Sequence, residues 1–595
     1  MQCHQFTRDG TTANRRTEYR FPKKAKRRGA TTLGVLFWGA NNDFSIHVTF
    51  EIRTIIDRTA YFLIVMTDAN TTWKILVDWI RREGGLVHEG LTLKDVSPGN
   101  RGIFATRAIP EGETLIRLPS HLSIDGRSMP VEYDSTIDGN TKRTASPWLR
   151  CLGAYYKAQR GGNNKWTAYL QSLPTSYETV AAWEEAEIEA FLAGTSTQGG
   201  SSVAWHNDVR FVRERYMTQI RSYLQQACPH ADIFLENNNP TSDTELEQFK
   251  NASACLSTRS FHLEAASDVE AATVGVAEMK NKDAKPASSN ICNDDGDDDD
   301  KEATYTGPFL LPAIDLLNHA ASNEPGHCTT LRRDTDCSFC MKAERPITAN
   351  QEILHSYGDH LTASQYLQTF GFVPTSRTQA IVNDDKPEEF RNLTPALLRK
   401  QDVLETCWSV IASGLPTRLA EAMTEMEDEA WTVKVDRRRT ADFISDDLIV
   451  DVTTPLTDEI VTTACLAFFP ICAYREAAQA LLSAEILDDF FLGTLVCTSL
   501  LQVLHSKLEQ YRPITWEGTV HEDDARLLRQ LLSTSTVEGG SISLSQQRLM
   551  YGLTLRLEEK TCLHALRRDV VETLSRLEED LPEEMQATKK QKFND

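Results

Sequence analysis

The sequence predicts an α+β fold: two β-rich stretches separated by a helical block, then a helical C-terminal region. Three observations predict it. From about residue 87, LVHEGLTLKDVSPGNRGIFATRAIPEGETLIRLP alternates short strand-forming runs with Pro/Gly turns. Strand-like text returns over residues 308–372. After about residue 387 apolar residues recur at three- and four-residue spacing with charges between them. Examples are PALLRKQDVLETCWSVI, FFLGTLVCTSLLQVLHSKLEQY and SQQRLMYGLTLRLEEKTCLHALRRDVVETLSRLEEDL, and the pattern is that of an amphipathic bundle.

The elements follow in order. Residues 1–65 are basic early, with KKAKRR at Lys23–Arg28, and carry no sustained period. They are expected to be a disordered or targeting extension, or to precede a working start at Met66. KKAKRR reads equally as a nuclear signal or a solvated basic tail. The first β-rich part spans 66–145. It opens with a helix in which Trp73, Leu76, Trp79 and Ile80 share a face, with Thr71 or Thr72 as its cap. Residues 146–255 read as helices: SPWLRCLGAYYKAQ, WTAYLQSLP, AAWEEAEIEAFLAG and VRFVRERYMTQIRSYLQQ. The second β-rich part spans 256–375, interrupted over about 264–306 by Ala/Ser/Asp/Lys-rich text that includes NDDGDDDDKE. Such text cannot build a core and is expected to be disordered. It lacks the ligand spacing of an EF-hand loop. Residues 376–595 form the helical region.

The chain has 595 residues, 41% apolar and 25% charged, with a formal net charge of -22. This is globular composition with room for several domains. The acidic balance disfavours general nucleic-acid binding, which runs on Lys and Arg. It suits a basic, Lys-rich protein partner better. The 13 cysteines are odd in number and scattered in apolar contexts. That points to a reducing compartment, cytoplasmic and/or nuclear. LGVLFW and YFLIVM are too short to span a bilayer, and no secretory pattern is visible. A monomer is expected.

No GxSxG, GxxxxGK[ST], GxGxxG or HEXXH signature occurs. His327-Cys328 with Cys337 and Cys340 resembles half a zinc site, but the text around the cysteines reads as a β-hairpin holding buried thiols. No metal is expected. LLPAIDLLNHAASN is more informative. A buried apolar run ends in Asn318-His319, with Asp315 three residues earlier. Taken alone, this is equally the end of a capped helix or turn.

Its surroundings give it meaning. Upstream stands Asn100-Arg101-Gly102-Ile-Phe-Ala-Thr; downstream stand ITANQEILHSYGDH and QYLQTFGFVP. This ordered set resembles the SET-domain protein methyltransferases, and most of all the split-SET, Rubisco large-subunit methyltransferase-like family, over roughly residues 73–580. KWTAYLQSLP is similar to the family's W-x-x-Y-L-x-x-L-P, and LRLEEKTCL at 555–563 to part of its C-terminal helical domain.

The resemblance implies a β-rich SET fold of short strands with a knot-like crossing, a helical insertion and an all-α substrate-binding domain. It implies S-adenosyl-L-methionine as cofactor and transfer of methyl groups to a lysine ε-amine of a protein. Gly99, Asn100, Arg101 and Gly102 match the loop whose backbone holds the cofactor, where glycine allows close approach. Asn318 and His319 match the cofactor-binding pair beside the crossing. Thr258-Arg259-Ser260-Phe261 matches S-R-x-F, with Arg259 on the cofactor carboxylate. Tyr357 matches the tyrosine of the transfer channel, and Thr258, Asp315, Tyr357 and Phe370 would face the substrate. Phe370 stands where the family usually has tyrosine, which predicts a looser pocket tolerating di- or trimethylation. Two other readings stay open: a histidine methyltransferase of the same fold, and a catalytically weak SET protein acting as a binding scaffold.

Overall fold

The computed structural model describes residues 69–97, 100–135, 141–160, 165–199, 220–228, 243–263, 305–383, 392–414, 447–466, 490–535 and 542–579. The basic extension, Gly99 and nearly all of the acidic segment lie outside the described residues. The first helix, α1 (Ala69–Arg82), buries Trp73, Leu76, Trp79 and Ile80 on one face, as their spacing predicts. It begins earlier than expected, so Thr71 and Thr72 lie inside it instead of capping it. Periodicity fixes the face of a helix better than its ends.

The β-rich part is a set of small sheets. Strands β1 (Leu86–Val87), β2 (Leu91–Ser97), β3 (Asn100–Ala105), β4 (Thr114–Leu118) and β5 (Ile124–Asp125) come from the first half. A hairpin of β6 (Glu132–Ser135) and β7 (Thr141–Thr144) leads into α2 (Pro147–Arg160). Helix α3 (Asp243–Arg259) brings the chain back to β8 (Ser260–Phe261). The second half adds β9 (Phe309–Leu310), β10 (Asn318–His319), β11 (Thr329–Arg333), β12 (Phe339–Ala343) and β13 (Leu354–His355).

The two halves are knitted together. Strand β12 pairs with β4 in a four-stranded sheet ordered β1-β4-β12-β11, and β9 lies between β5 and β8. The β11–β12 hairpin is the one expected from the cysteine text, and Cys328 and Cys340 beside and within it are buried thiols. Strand β10 runs parallel to β13, with Asn318 opposite Leu354 and His319 opposite His355. The chain thus returns alongside its own earlier segment at the position where the sequence motifs cluster.

Beyond Tyr357 the chain forms α4 (Ala363–Phe370), begun by a capping box in which Thr362 and Gln365 bond each other's backbone N–H. The C-terminal region is mainly helical, with α5 (Phe490–Glu509) and the 36-residue α6 (Leu544–Glu579) packed together. It also holds two short antiparallel strand pairs: β14 (Ala396–Arg399) with β15 (Asp447–Val450), and the hairpin of β16 (Ile514–Trp516) with β17 (Thr519–His521). Strand β14 corrects the reading of PALLRKQDVLETCWSVI as wholly helical. Its Ala396–Leu398 is a three-residue apolar run, too short for periodicity to separate strand from helix.

Two hydrophobic cores result. One joins α1, the small sheets, α2 and α3. The other joins the bundle with Val180, Trp183, Phe191 and Leu192 of the helical insertion and with Ala363 and Leu367 of α4. The insertion therefore belongs to both cores. Among the described residues no helix is long and apolar enough to cross a membrane.

Candidate active site

The site forms where the β2–β3 hairpin, β10, β13, the C-terminal end of α3 and α4 meet. The hairpin narrows at Ser97 opposite Asn100, and Asn100 itself is exposed. Arg101 is anchored by its guanidinium, which donates to the Ser172 carbonyl at 2.8 Å. Its own carbonyl accepts from Asn318 Nδ2 at 3.2 Å, and the same Nδ2 donates to Glu352 Oε1 at 2.7 Å. Gly102 sits beneath this pair. A Cβ there would overlap Glu352 Oε1 and approach Asn318 Nδ2 to 2.9 Å, so any side chain would displace the contact. Backbone and the Asn318 amide converge here because no side chain intervenes.

His319 is the hub. Its Nδ1 accepts the Tyr357 backbone N–H at 3.1 Å. A neutral ring that accepts at Nδ1 carries its proton on Nε2. Nε2 lies 3.1 Å from the Tyr366 hydroxyl, which in turn donates to the Gly358 carbonyl at 2.8 Å. Burial holds the His319 pKa below its ordinary value and so favours the neutral ring. Gly358 has φ +133°, a backbone shape that L side chains rarely adopt, which explains the glycine after Tyr357.

The Tyr357 hydroxyl donates to the Leu317 carbonyl at 2.7 Å, and burial pushes its pKa up to about 12. It is a neutral phenol at physiological pH. Aromatic rings surround it: Phe370 at 4.7 Å between centroids, His319 at 5.2 Å and Phe372 at 6.2 Å. Tyr366 backs this group, 5.8 Å from Phe372 and 6.1 Å from Phe370.

The third component is charged. Arg259, the last residue of α3, donates to the Asp315 carbonyl at 2.6 Å and lies 3.7 Å from its carboxylate. It is no surface arginine, since only 18% of its side chain is accessible. Burial opposes its charge, but the Asp315 carboxylate offsets this and Arg259 stays protonated. The Tyr169 hydroxyl donates to Asp315 Oδ2 at 2.8 Å. Tyr169 is the tyrosine of KWTAYLQSLP, so that motif braces Asp315. Burial raises the Asp315 carboxyl to about 6, against the pull of Arg259. Arg259 Nε and Asp315 Oδ1 have no hydrogen-bond partner. Buried polar atoms left unpaired are costly and call for an explanation. The Thr258 hydroxyl bonds back to the Ala254 carbonyl of its own helix at 2.8 Å.

The structure thus gathers Arg101, Gly102, Asn318, His319 and Tyr357 with Phe370, and places Arg259 with Asp315 close by. Glu352, Tyr366 and Phe372 join them without having been singled out from sequence. Tyr366 and Phe372 flank Phe370 within QYLQTFGFVP, and that clustering was the available signal. Among the described residues no group of three or more His, Cys, Asp or Glu is placed to hold a metal ion.

Comparison with known proteins agrees with this geometry. Residues 100–358 match the SET domain family model. N-lysine methyltransferase SETD6 from Mus musculus is 23% identical over 297 residues, 49% of this chain and 52% of that protein. A chloroplastic [fructose-bisphosphate aldolase]-lysine N-methyltransferase from Arabidopsis thaliana is 26% identical over 123 residues, 21% of this chain and 24% of that protein. The chain spans about half the length, or less, of these curated relatives. A structure of Rubisco LSMT bound to AdoMet superposes with a TM-score of 0.51 at 15% identity, over 86% of this chain and 94% of that one. With β4 and β12 paired across a helical insertion, and a helical region following, residues 100–358 match a SET domain and the chain has the split-SET, Rubisco LSMT-like fold.

Proposed function

We propose that this protein is an S-adenosylmethionine-dependent protein-lysine N-methyltransferase. The observation that carries the reading is the Tyr357 hydroxyl, fixed on the Leu317 carbonyl inside an aromatic ring, one residue from Asn318. The residues fit the cofactor. Gly102 lets the Asn318 amide and Glu352 close on the β3 backbone, and Arg259 keeps an unpaired buried N–H for an anionic group. Arg101, Gly102, Asn318 and His319 would hold it with Arg259 on its carboxylate. Bound there, S-adenosylmethionine supplies an electrophilic methyl group on a sulfonium.

The chain's own residues do the rest. Phe370, Phe372 and Tyr357, in contact with one another, would form the walls of the approach for a lysine side chain. A free lysine has a pKa of about 10.4, and desolvation between such walls lowers it, so the nucleophilic neutral amine becomes accessible. With its proton committed to Leu317, the Tyr357 oxygen keeps lone pairs that accept an N–H and orient the amine. Alignment carries most of the rate enhancement, so no strong base is required. Phe370 places no hydroxyl beside Tyr357, which favours a pocket that accepts methylated amines.

The test is transfer of labelled methyl from S-adenosylmethionine into proteins of a cell extract. Wild type is expected to label protein on lysine, with di- or trimethylated product by mass spectrometry. Tyr357→Phe is expected to lower the rate about 100-fold, the scale of losing one positioned hydroxyl. No labelled protein and no S-adenosylmethionine binding by calorimetry would overturn the reading; label on histidine would move it to the other acceptor.

A further inference from the structure

We propose that Tyr366 is a positioning residue that sets the Tyr357 main chain through the tautomer of His319. The inference rests on the proposed function for the importance of Tyr357, but not for the arrangement itself.

Three observations carry it. Tyr366 is 3% exposed, and its hydroxyl is engaged on both sides, donating to the Gly358 carbonyl at 2.8 Å and meeting His319 Nε2 at 3.1 Å. A hydroxyl that has given its proton away can only accept, so it selects the His319 ring that donates at Nε2. That ring accepts at Nδ1, where the Tyr357 N–H arrives at 3.1 Å. The other neutral tautomer would set Nδ1–H against the Tyr357 N–H and leave two hydrogens facing each other. One hydroxyl on α4 therefore fixes two residues just beyond β13, Tyr357 by its N–H and Gly358 by its carbonyl. The capping box at Thr362 and Gln365 holds the start of α4, one turn before Tyr366.

The Tyr366 hydroxyl bonds His319 and Gly358, so its role at Tyr357 is indirect. It lies behind His319, at 5.0 Å between centroids, while Phe370 lies against Tyr357 at 4.7 Å. Removing the hydroxyl leaves Nε2–H buried without an acceptor. The ring is then free to take the Nδ1–H form and release Tyr357.

The experiment compares wild type, Tyr366→Phe, His319→Gln and the double variant in the full chain. Nitrogen NMR of histidine-labelled protein, with His319 assigned from His319→Gln, reads the tautomer without cofactor. Wild type is expected to show Nε2–H, and Tyr366→Phe a mixture that includes Nδ1–H. In methyl transfer, Tyr366→Phe is expected to lower kcat about 10- to 100-fold, the scale of a small misplacement of a reacting group. The KM for S-adenosylmethionine should change less than kcat, because Arg101, Asn318 and Arg259 keep their places. In the His319→Gln background the Tyr366 substitution should add little, since both act along one path. A wild-type ring protonated on Nδ1 overturns the proposal whether or not the variant folds. So do an unchanged tautomer and turnover in Tyr366→Phe, or fully additive losses. If wild type transfers no methyl group, the proposed function fails while the tautomer measurement still decides this one.

Discussion

Glu558 and Glu559 on α6 and the Arg259–Asp315 pair beside Tyr357 are all charges taken out of water, but they are treated differently. Glu558 accepts from Arg377 Nε at 2.5 Å and from the Thr394 N–H and hydroxyl at 2.7 and 2.5 Å. Glu559 accepts from the Ser196 N–H and hydroxyl at 2.9 and 2.6 Å and from the Tyr511 hydroxyl at 2.7 Å. Every partner comes from outside α6, so the two carboxylates fasten the long helix to the insertion and to the segment after α4. At the site, Arg259 Nε and Asp315 Oδ1 keep no partner. The two glutamates have their donors in place, whereas the Arg259–Asp315 pair is only partly satisfied, which makes it the costlier of the two to keep buried.

The largest expected effect tests the bundle side. Glu558→Ala would leave the Arg377 guanidinium and two Thr394 donors without their acceptor, and a broken buried pair costs about 3 kcal/mol or more. Denaturant unfolding should register that loss. A change under about 1 kcal/mol would break the comparison. The next effect tests the site side. Arg259→Met should weaken S-adenosylmethionine binding about 10- to 100-fold, the worth of a charge-assisted hydrogen bond. Its stability cost should be smaller than that of Glu558→Ala, because Asp315, with its carboxyl near 6, can take up a proton once alone. Equal destabilisation by the two variants would mean that both pairs serve the fold.

The effect that is smallest at any one pH near neutrality is a pH dependence. His355 on β13 is held by burial at a pKa of about 4, below the ordinary 6.5. The folded state keeps it neutral, so below pH 6.5 the unfolded chain binds the proton first. Stability from this group is complete above pH 6.5 and declines as pH falls through 4, by about 3 kcal/mol in total once the folded state is protonated too. His355→Gln should flatten unfolding free energy across that window. An unchanged slope would assign it to other groups.

The sequence carried the site further than it carried the bundle. DLLNH, HSYG and the NRG turn are short and combine residue types that core alone does not require, so they stand out. Tyr366 offered only the clustering of aromatics in QYLQTFGF, because that is otherwise ordinary amphipathic helix text and a hydroxyl pointing inward looks like one pointing out. Glu352 sits among polar neighbours in ITANQEILHSYG and gave no signal of its bond to Asn318. In the bundle, LRLEEKTCL reads as a helix with a charged outer face, yet Glu558 and Glu559 are both fully buried. Burial of a charge is decided by partners from Ser196 to Tyr511, and such distances leave no local trace.

The sharing of the insertion between two cores has a consequence for solubility. Val180, Trp183, Phe191 and Leu192 are 2%, 5%, 4% and 0% exposed because the C-terminal helices cover them. A polypeptide ending after Phe372 would keep every motif of the site and present those four side chains, with Ala363 and Leu367, to water. Contiguous apolar surface of that kind drives self-association. The SET half of this protein is therefore dependent on its C-terminal helices as a cover, in the way a folding intermediate depends on a chaperone.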